Sequence, residues 1–348
     1  MSFQFNQEIG QRYQLKGKLG EGTHGVVCRA YDSVRKGTVA LKLYKDDALD
    51  VQSAEAARHF EVAEGSAILP LLEVHPEFIE GPTTVMPLAA GTFAETRPIF
   101  ASQAVYVTRR ALTALEFCHG RGILHGDVKP SNIFRDSHEN VMLGDFGVAG
   151  YTPEYAAPEL LSGGAKSVAT DLWAVAVSFY ELLCGELPFG ARPDVDEQTL
   201  ALSIAAGSYV DPDEGLPYLP LRFRSFFRGS LVADPAQRAS STAAEMRNEL
   251  RELSVCVEWV RVRREGCVVC FEGHALSRDA RRAGITYEAT VVERPRKRDF
   301  VPEVKKALPE QPLRRLTGLP RFAGSRRQAG QQLSVWMRHL TECGDYRG

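Results

Sequence analysis

The stretch HGDVKPSNIF, residues 125–134, decides the interpretation of this chain, because it places three polar side chains in one short segment. Asp127 can accept the proton of an incoming hydroxyl group, and Lys129 can offset the charge of a nearby phosphoryl group. Asn132 offers an amide oxygen, which is a ligand that hard cations prefer. These residue types at this spacing predict a phosphoryl-transfer site.

The stretch LGDFGVA, residues 143–149, supplies a carboxylate close behind that segment. Asp145 is suited to Mg²⁺, and it follows Asn132 by 13 residues. Two short strands separated by a turn bring side chains at that distance together. We therefore expect Asn132 and Asp145 to hold the metal.

Three glycines precede these segments in LGEGTHGVV, residues 19–27. Gly20, Gly22 and Gly25 form a G-x-G-x-x-G-x-V pattern, in which backbone N–H groups can approach phosphates without a side chain in the way. The pattern lies between apparent strands, whereas a dinucleotide-binding fold places it between a strand and a helix. It favours a hairpin that covers phosphates.

The segment VALK, residues 39–42, ends in Lys42, which can neutralise phosphate oxygens beneath such a hairpin. This lysine needs a carboxylate to hold it, and the composition of residues 50–68 predicts a helix that supplies one. Three glutamates of that segment are candidates, and we choose Glu61 over Glu55 and Glu64.

The ordered set of motifs resembles the eukaryotic-type (Hanks-type) Ser/Thr protein kinases over residues 12–253. The further matching segments are TPEYAAPE at 152–159, DLWAVAVSFYELLCGELPF at 171–189 and LVADPAQR at 231–238. The resemblance implies an α+β, two-lobed fold, with an antiparallel β-rich N-lobe at residues 1–88 and a helical C-lobe at 89–253. A small β-containing basic module at 254–348 resembles no family that we recognise.

The resemblance also implies ATP and Mg²⁺ as cofactors and a role for each matching residue. Asp127 is implied as catalytic base with Lys129 near the transferred phosphoryl group, Lys42 as a catalytic contact to the α- and β-phosphates, Asn132 and Asp145 as metal ligands, and Thr152 as part of the substrate loop. Glu159 and Arg238 are implied as a structural ion pair, and Asp171 as an anchor. The implied ATP contacts are Leu19, Gly20, Gly22, Gly25, Val27, Ala40, Lys42, Met86, Leu88 and Ala89.

Two features depart from the family pattern. Gly126 stands where the family carries an arginine that pairs with a phosphate on the activation loop, and only nine residues, 148–156, separate Gly147 from Ala157. Because the phosphate-binding arginine and most of the loop are both missing, we expect activity that does not depend on phosphorylation of this loop. The alternative is a nucleotide-binding pseudokinase that acts as a scaffold or switch through its C-terminal module.

Charge is divided unevenly along the chain. Residues 254–348 hold 19 Lys+Arg against 11 Asp+Glu, whereas residues 1–253 hold 23 against 33. This asymmetry indicates modules with different partners. We expect a protein substrate, autophosphorylation, and an acidic partner or nucleic acid for the basic tail.

Within the C-terminal module, residues 255–274 and 284–294 predict strands, residues 295–325 a proline-rich and basic loop, and residues 327–342 an amphipathic helix. Cys267, Cys270 and His274 have a spacing found in zinc sites. We favour the alternative that the two cysteines are small apolar residues of a strand.

The remaining composition indicates a cytoplasmic protein. Seven cysteines are scattered through 348 residues, as in proteins with reduced thiols, and the N-terminus lacks the pattern of a signal peptide. The most apolar stretch, residues 172–184, is too short to span a bilayer.

Overall fold

The computed structural model describes most of the chain. The described residues are 6–22, 25–45, 49–62, 64–76, 82–146, 150–189, 197–205, 218–262, 264–276 and 284–343. The chain divides into two compact units. Unit 1 comprises Met1–Thr96, Arg109–Val175 and Ser241–Ala244, and unit 2 comprises Arg97–Thr108, Ala176–Ser240 and Glu245–Gly348.

Unit 1 begins with a six-stranded antiparallel sheet of order β1-β2-β3-β4-β6-β5. Its strands are β1 Glu8–Ile9, β2 Tyr13–Gly22, β3 Gly25–Asp32, β4 Gly37–Tyr44, β5 Glu73–His75 and β6 Thr83–Pro87. Side chains alternate across a strand, so Val39, Leu41 and Leu43 of β4 enter the apolar core. Ala40 and Lys42 therefore point to the opposite face of the sheet.

The glycine-rich segment is the hairpin that joins β2 to β3, with Gly22 paired to Gly25. Gly25 cannot be replaced without displacing the main chain, because a Cβ atom built on it would lie 2.9 Å from the carbonyl carbon of Leu43.

The helix α1, Leu49–Val62, follows β4. A three-stranded sheet of β7 Gly91–Thr92, β8 Ile133–Arg135 and β9 Val141–Leu143 carries the segment between Asn132 and Asp145.

The described helices after α1 are concentrated between residues 101 and 251. They are α2 Ala101–His119, α3 Pro158–Leu161, α4 Val168–Cys184, α5 Glu197–Ala205, α6 Leu221–Ser230 and α7 Ala243–Arg251. Helix α4 is apolar almost all round, and Trp173, Phe179 and Tyr180 are fully buried in it. Within the described ranges, no helix is both long and apolar enough to cross a membrane.

The C-terminal part of unit 2 is a five-stranded antiparallel sheet closed by a helix. The sheet has the order β10-β11-β12-β13-β14, with β10 Val257–Val262, β11 Val269–Ala275, β12 Thr286–Arg294, β13 Asp299–Ala307 and β14 Arg314–Arg315. Helix α8, Arg326–Cys343, buries Leu333, Trp336 and Met337. Trp259 Nε1 donates a hydrogen bond to Thr341 Oγ1 at 2.9 Å, which ties the helix to the sheet.

The expectation of a loop over residues 295–325 is wrong for residues 299–307, which form a strand. Strand β13 pairs with β12 over nine positions, from Asp299 to Ala307. Pro302 is accommodated opposite Val291, and the prolines and basic residues had masked the strand's alternation.

The three residues with the zinc-site spacing lie in the β10–β11 hairpin, with Cys267 before β11 and Cys270 and His274 on it. Cys270 is buried and His274 is exposed on the same strand, four residues and therefore about 13 Å apart along it. The His274 ring instead packs edge-on against Phe100 of the same unit, with centroids 5.4 Å apart. Within the described part of the chain, no three His, Cys, Asp or Glu side chains are grouped to hold a metal ion.

A charged network holds the N-terminal sheet together. Arg12 binds Asp32 at the end of β3 and Glu73 on β5, with N–O distances of 2.7 Å to each. Arg35 also reaches Glu73 at 2.7 Å. Hydrogen bonds from Arg12 lower the pKa of both Asp32 and Glu73 to about 2.

We expect Asp32→Asn to lower the free energy of unfolding by about 1–2 kcal/mol at pH 7, because Arg12 loses a charged hydrogen-bond partner. Both carboxyl pKa values are depressed on folding, so this stabilisation is present above pH 4.5 and is lost as the pH falls towards 2. Urea unfolding at several pH values measures it. Glu139→Gln, which removes an exposed partner of Arg135, is the control and should change stability little. Equal effects of the two variants would contradict the prediction.

Candidate active site

Lys42 joins two carboxylates from distant parts of unit 1. Its Nζ lies 2.7 Å from Glu55 Oε2 on α1 and 2.7 Å from Asp145 Oδ1, which follows β9. Burial opposes the charge on Lys42, but Asp145, Tyr44 and Glu55 raise its pKa above the ordinary value. The ammonium is therefore charged throughout the physiological pH range.

The helix carboxylate that reaches Lys42 is Glu55, so the choice of Glu61 is corrected. Glu55, His59 and Val62 are buried on one face of α1, at the spacing of successive helical turns. Glu61, six residues beyond Glu55, is exposed on another face, and Glu64 is exposed as well. The apolar pattern of the helix carried this information, whereas the distance from Lys42 along the chain did not.

Tyr44 is a member of the site that the sequence analysis missed. Its hydroxyl donates to Glu55 Oε2 at 2.6 Å, and the same carboxylate oxygen accepts from Lys42. Tyr44 lies two residues after Lys42 on β4, so both side chains project from the same face of the strand. The alternation of the strand was the signal that could have identified it.

Asp127 is held by a network that includes Thr152. Oδ1 of Asp127 accepts hydrogen bonds from the Thr152 backbone N–H at 3.0 Å and hydroxyl at 2.7 Å. Lys129 Nζ lies 2.7 Å from Asp127 Oδ2 and donates to Thr152 Oγ1 at 2.7 Å. The structure thus brings together three predicted residues, and it orients the carboxylate of Asp127 from both sides.

Asn132 is oriented by the turn that contains it. Pro130 begins a short 3-10 turn, Pro130–Asn132, where its fixed φ is favourable. Asn132 Nδ2 donates to the backbone carbonyl of Asp127 at 2.8 Å, and the backbone carbonyl of Asn132 accepts from the N–H of Gly144 at 3.0 Å. Asn132 is therefore fixed against both Asp127 and the residue that precedes Asp145.

The oxygen-bearing side chains fit a magnesium ion. The side-chain amide nitrogen of Asn132 donates to the protein, so its side-chain oxygen is the atom that would bind a cation, and Asp145 would supply a carboxylate. Amide and carboxylate oxygens are the ligands of hard cations. Asp145 also adopts a positive φ of 60°, an uncommon conformation for a residue with a side chain and one that clusters at functional sites.

Asp171 anchors the start of the HGDVKPSN segment. It is 1% exposed, and its Oδ2 accepts from the backbone N–H of His125 at 2.9 Å. Its Oδ1 accepts from the N–H of Gly126 at 2.8 Å, and His119 lies 2.8 Å from Oδ2. One buried carboxylate therefore fixes two consecutive peptide groups directly before Asp127.

His125 links this segment to Phe146. Burial lowers the pKa of His125, so the ring is neutral, with Nε2 donating to the carbonyl of Gly144 at 3.0 Å. Its Nδ1 then accepts from the N–H of Asp127 at 3.3 Å. The Phe146 ring packs against His125 and His59, with centroids 4.8 and 5.3 Å apart. These contacts hold the backbone next to Asp145.

The residues implied for nucleotide contact lie on the sheet of unit 1 and the segment that follows it. Gly20 pairs with Val27 across the hairpin, and Ala40 pairs with Met86 across β4 and β6. Leu19 is 52% exposed, as an apolar side chain at the mouth of a binding site is expected to be. Leu88 and Ala89 follow β6 directly and are half-buried. Two of the implied contacts, Lys42 and Met86, line a pocket together with Glu55, Thr84, Asp145 and Phe146.

The structure does not test two of the predicted features. The ion pair of Glu159 and Arg238 stays a prediction. Arg238 Nε donates to the carbonyl of Val232 at 2.9 Å. Of the short loop, residues 147–149 lie outside the described part of the chain.

Comparisons with known proteins find relatives that are named as kinases. NUAK family SNF1-like kinase 1 of Mus musculus is 26% identical over 254 residues, covering 67% of this chain and 37% of that protein. Serine/threonine-protein kinase PksC of Streptomyces coelicolor is 28% identical over 275 residues, covering 69% of this chain and 48% of that protein. The chain thus spans less than half the length of these relatives.

Solved structures share the fold. The PknI kinase domain of Mycobacterium tuberculosis superposes with a TM-score of 0.55 at 22% identity, covering 72% of this chain and 99% of that one. The predicted α+β kinase fold with a further β-containing module is confirmed. Residues 13–249 match the family model described as the protein kinase domain, a match that leaves out residues 254–348. The chain belongs to the protein kinase domain family.

Proposed function

We propose that this protein is an active Ser/Thr protein kinase, which transfers the γ-phosphoryl group of ATP to protein hydroxyl groups. The observation that carries the proposal is the double pairing of Lys42 with Glu55 and Asp145. A lysine held in this way is positioned to bind phosphate oxygens when Asp145 turns to the metal. The named relatives are kinases, in agreement with this proposal.

The chain's own residues account for the positioning that phosphoryl transfer needs. Asp127 accepts a hydrogen bond from the Thr152 hydroxyl, and a substrate hydroxyl is a donor of the same kind. In the proposed reaction Asp127 orients that hydroxyl and receives its proton, while Lys129 offsets charge on the transferred group. Asn132 and Asp145 would hold Mg²⁺, which when bound supplies positive charge to the phosphate oxygens.

We also infer that this activity does not require a phosphate on the loop at 148–156. That loop has nine residues, and position 126 carries no side chain to pair with a phosphate. Thr152, a hydroxyl residue of this loop, is already engaged with Asp127 and Lys129. It therefore serves better as part of the site's hydrogen-bond network than as a phosphate acceptor.

Removing the proposed base tests the function. We expect Asp127→Asn to lower kcat by about 10²–10⁴-fold, because the amide cannot take the hydroxyl proton. Transfer of label from γ-labelled ATP to the protein itself and to a generic basic protein measures it. ATP affinity, measured by calorimetry, should stay within about twofold, because Asp127 is not among the nucleotide contacts. A wild type that binds ATP and transfers nothing would favour the pseudokinase alternative.

A pair of glutamate variants tests the corrected assignment on α1. We expect Glu55→Gln to lower kcat/KM by about 10–100-fold, since the charged hydrogen bond to Lys42 is lost. Glu61→Gln, an exposed change on the same helix, should leave kcat/KM unaltered. Thermal unfolding checks that both variants are folded. A loss confined to Glu61→Gln would contradict the structure's pairing.

A further inference from the structure

The backbone at Gly126 is in close contact with a lysine from a later segment. Gly126 has a φ of +76°, which glycine adopts without strain. A Cβ atom built on it would lie 2.5 Å from Lys166 Nζ and 2.8 Å from Lys166 Cδ. The Lys166 side chain therefore fills the space that any side chain at position 126 would need.

The ammonium of Lys166 is buried and has no hydrogen-bond partner among the described residues. Burying an ammonium group without a hydrogen-bond partner opposes folding. Burial lowers the pKa of Lys166, as does the nearby Arg58 guanidinium, whereas the carboxylates of Asp127 and Asp171 raise it. The group thus lies within electrostatic reach of both carboxylates that shape the segment around Gly126.

The two carboxylates differ in how they are compensated. Asp127 has an ammonium partner in Lys129, at 2.7 Å. Asp171 is bound by the backbone N–H groups of His125 and Gly126 and by His119. Lys166, beside Gly126, therefore adds positive charge close to both of these carboxylates.

We propose that Lys166 is a positioning residue for phosphoryl transfer, supplying from a later segment the positive charge that Gly126 lacks. This inference rests on the proposed kinase activity. Lys166 acts on Asp127 through the electrostatic field and by packing on the Gly126 backbone, without touching substrate. Because the charge belongs to the chain itself, the segment is held without a phosphate.

Neutralising the charge at constant side-chain length provides the test. We expect Lys166→Met to lower kcat about tenfold, with the KM for ATP unchanged within about twofold, because the nucleotide contacts lie elsewhere. Lys166→Arg should restore most of the lost rate, since it keeps the charge. Lys36→Met, in the exposed turn between β3 and β4, is the matched control and should behave as wild type.

A charge swap separates positioning from general destabilisation. We expect Gly126→Arg combined with Lys166→Ala to be faster than Lys166→Ala alone, even where the positive φ at position 126 lowers its melting temperature. A purely structural lysine would instead give rates that follow the melting temperature. Hydrogen exchange of the 123–133 segment reports whether the loop loosens in Lys166→Met.

The outcomes separate the two proposals. A wild type that transfers phosphate, together with a Lys166→Met variant of equal kcat and equal exchange, overturns the role of Lys166 alone. A loss in Lys166→Met that Lys166→Arg shares in full also overturns it, because charge would then not be the cause. A wild type without transfer overturns the proposed function and this inference with it.

Discussion

The site depends on one ammonium group shared between two carboxylates. Lys42 is fixed on a strand of the N-terminal sheet, and its bonds to Glu55 and Asp145 place helix α1 and the segment after β9 around it. The strand's alternation makes this arrangement possible, since Leu41 and Leu43 enter the core while Lys42 faces away from it. Losing either carboxylate would leave the largely buried ammonium of Lys42 with one charged partner instead of two, which is unfavourable for a charge removed from water.

A second constraint is the buried Asp171, because it fixes the backbone of the segment that carries Asp127. Its two oxygens accept the N–H groups of His125 and Gly126, so Asp127 emerges from a fixed backbone. Thr152 and Lys129 then fix the Asp127 side chain. In the proposed reaction, Asp171 and Thr152 would thus determine where the Asp127 carboxylate lies, and Lys166 is proposed to add an electrostatic contribution.

Sequence reasoning identified Asp127, Lys129, Asn132 and Asp145 because they lie in short motifs whose spacing is local, and their chemical roles stay predictions. It failed where the partner is decided by the buried face of a helix or by strand pairing. The distance from Lys42 along the chain favoured Glu61, although the buried face of α1 points to Glu55. Strand β13 was missed because Pro302 and its basic neighbours resemble a loop, and pairing with β12 prevailed over that composition. No sequence signal links Lys166 to Gly126, since only the fold brings them together.

The central claim is that the site is complete without a phosphate on the protein. Its most direct test is the initial rate of transfer from γ-labelled ATP, measured before and after exhaustive phosphatase treatment. Mass spectrometry establishes that the treated protein carries no phosphate, and the phosphatase is removed before the assay. We predict rates that agree within about twofold, because the charges around Asp127 belong to the chain itself. A loss of about tenfold or more, regained on preincubation with ATP, would contradict the account by showing that a phosphate completes the site.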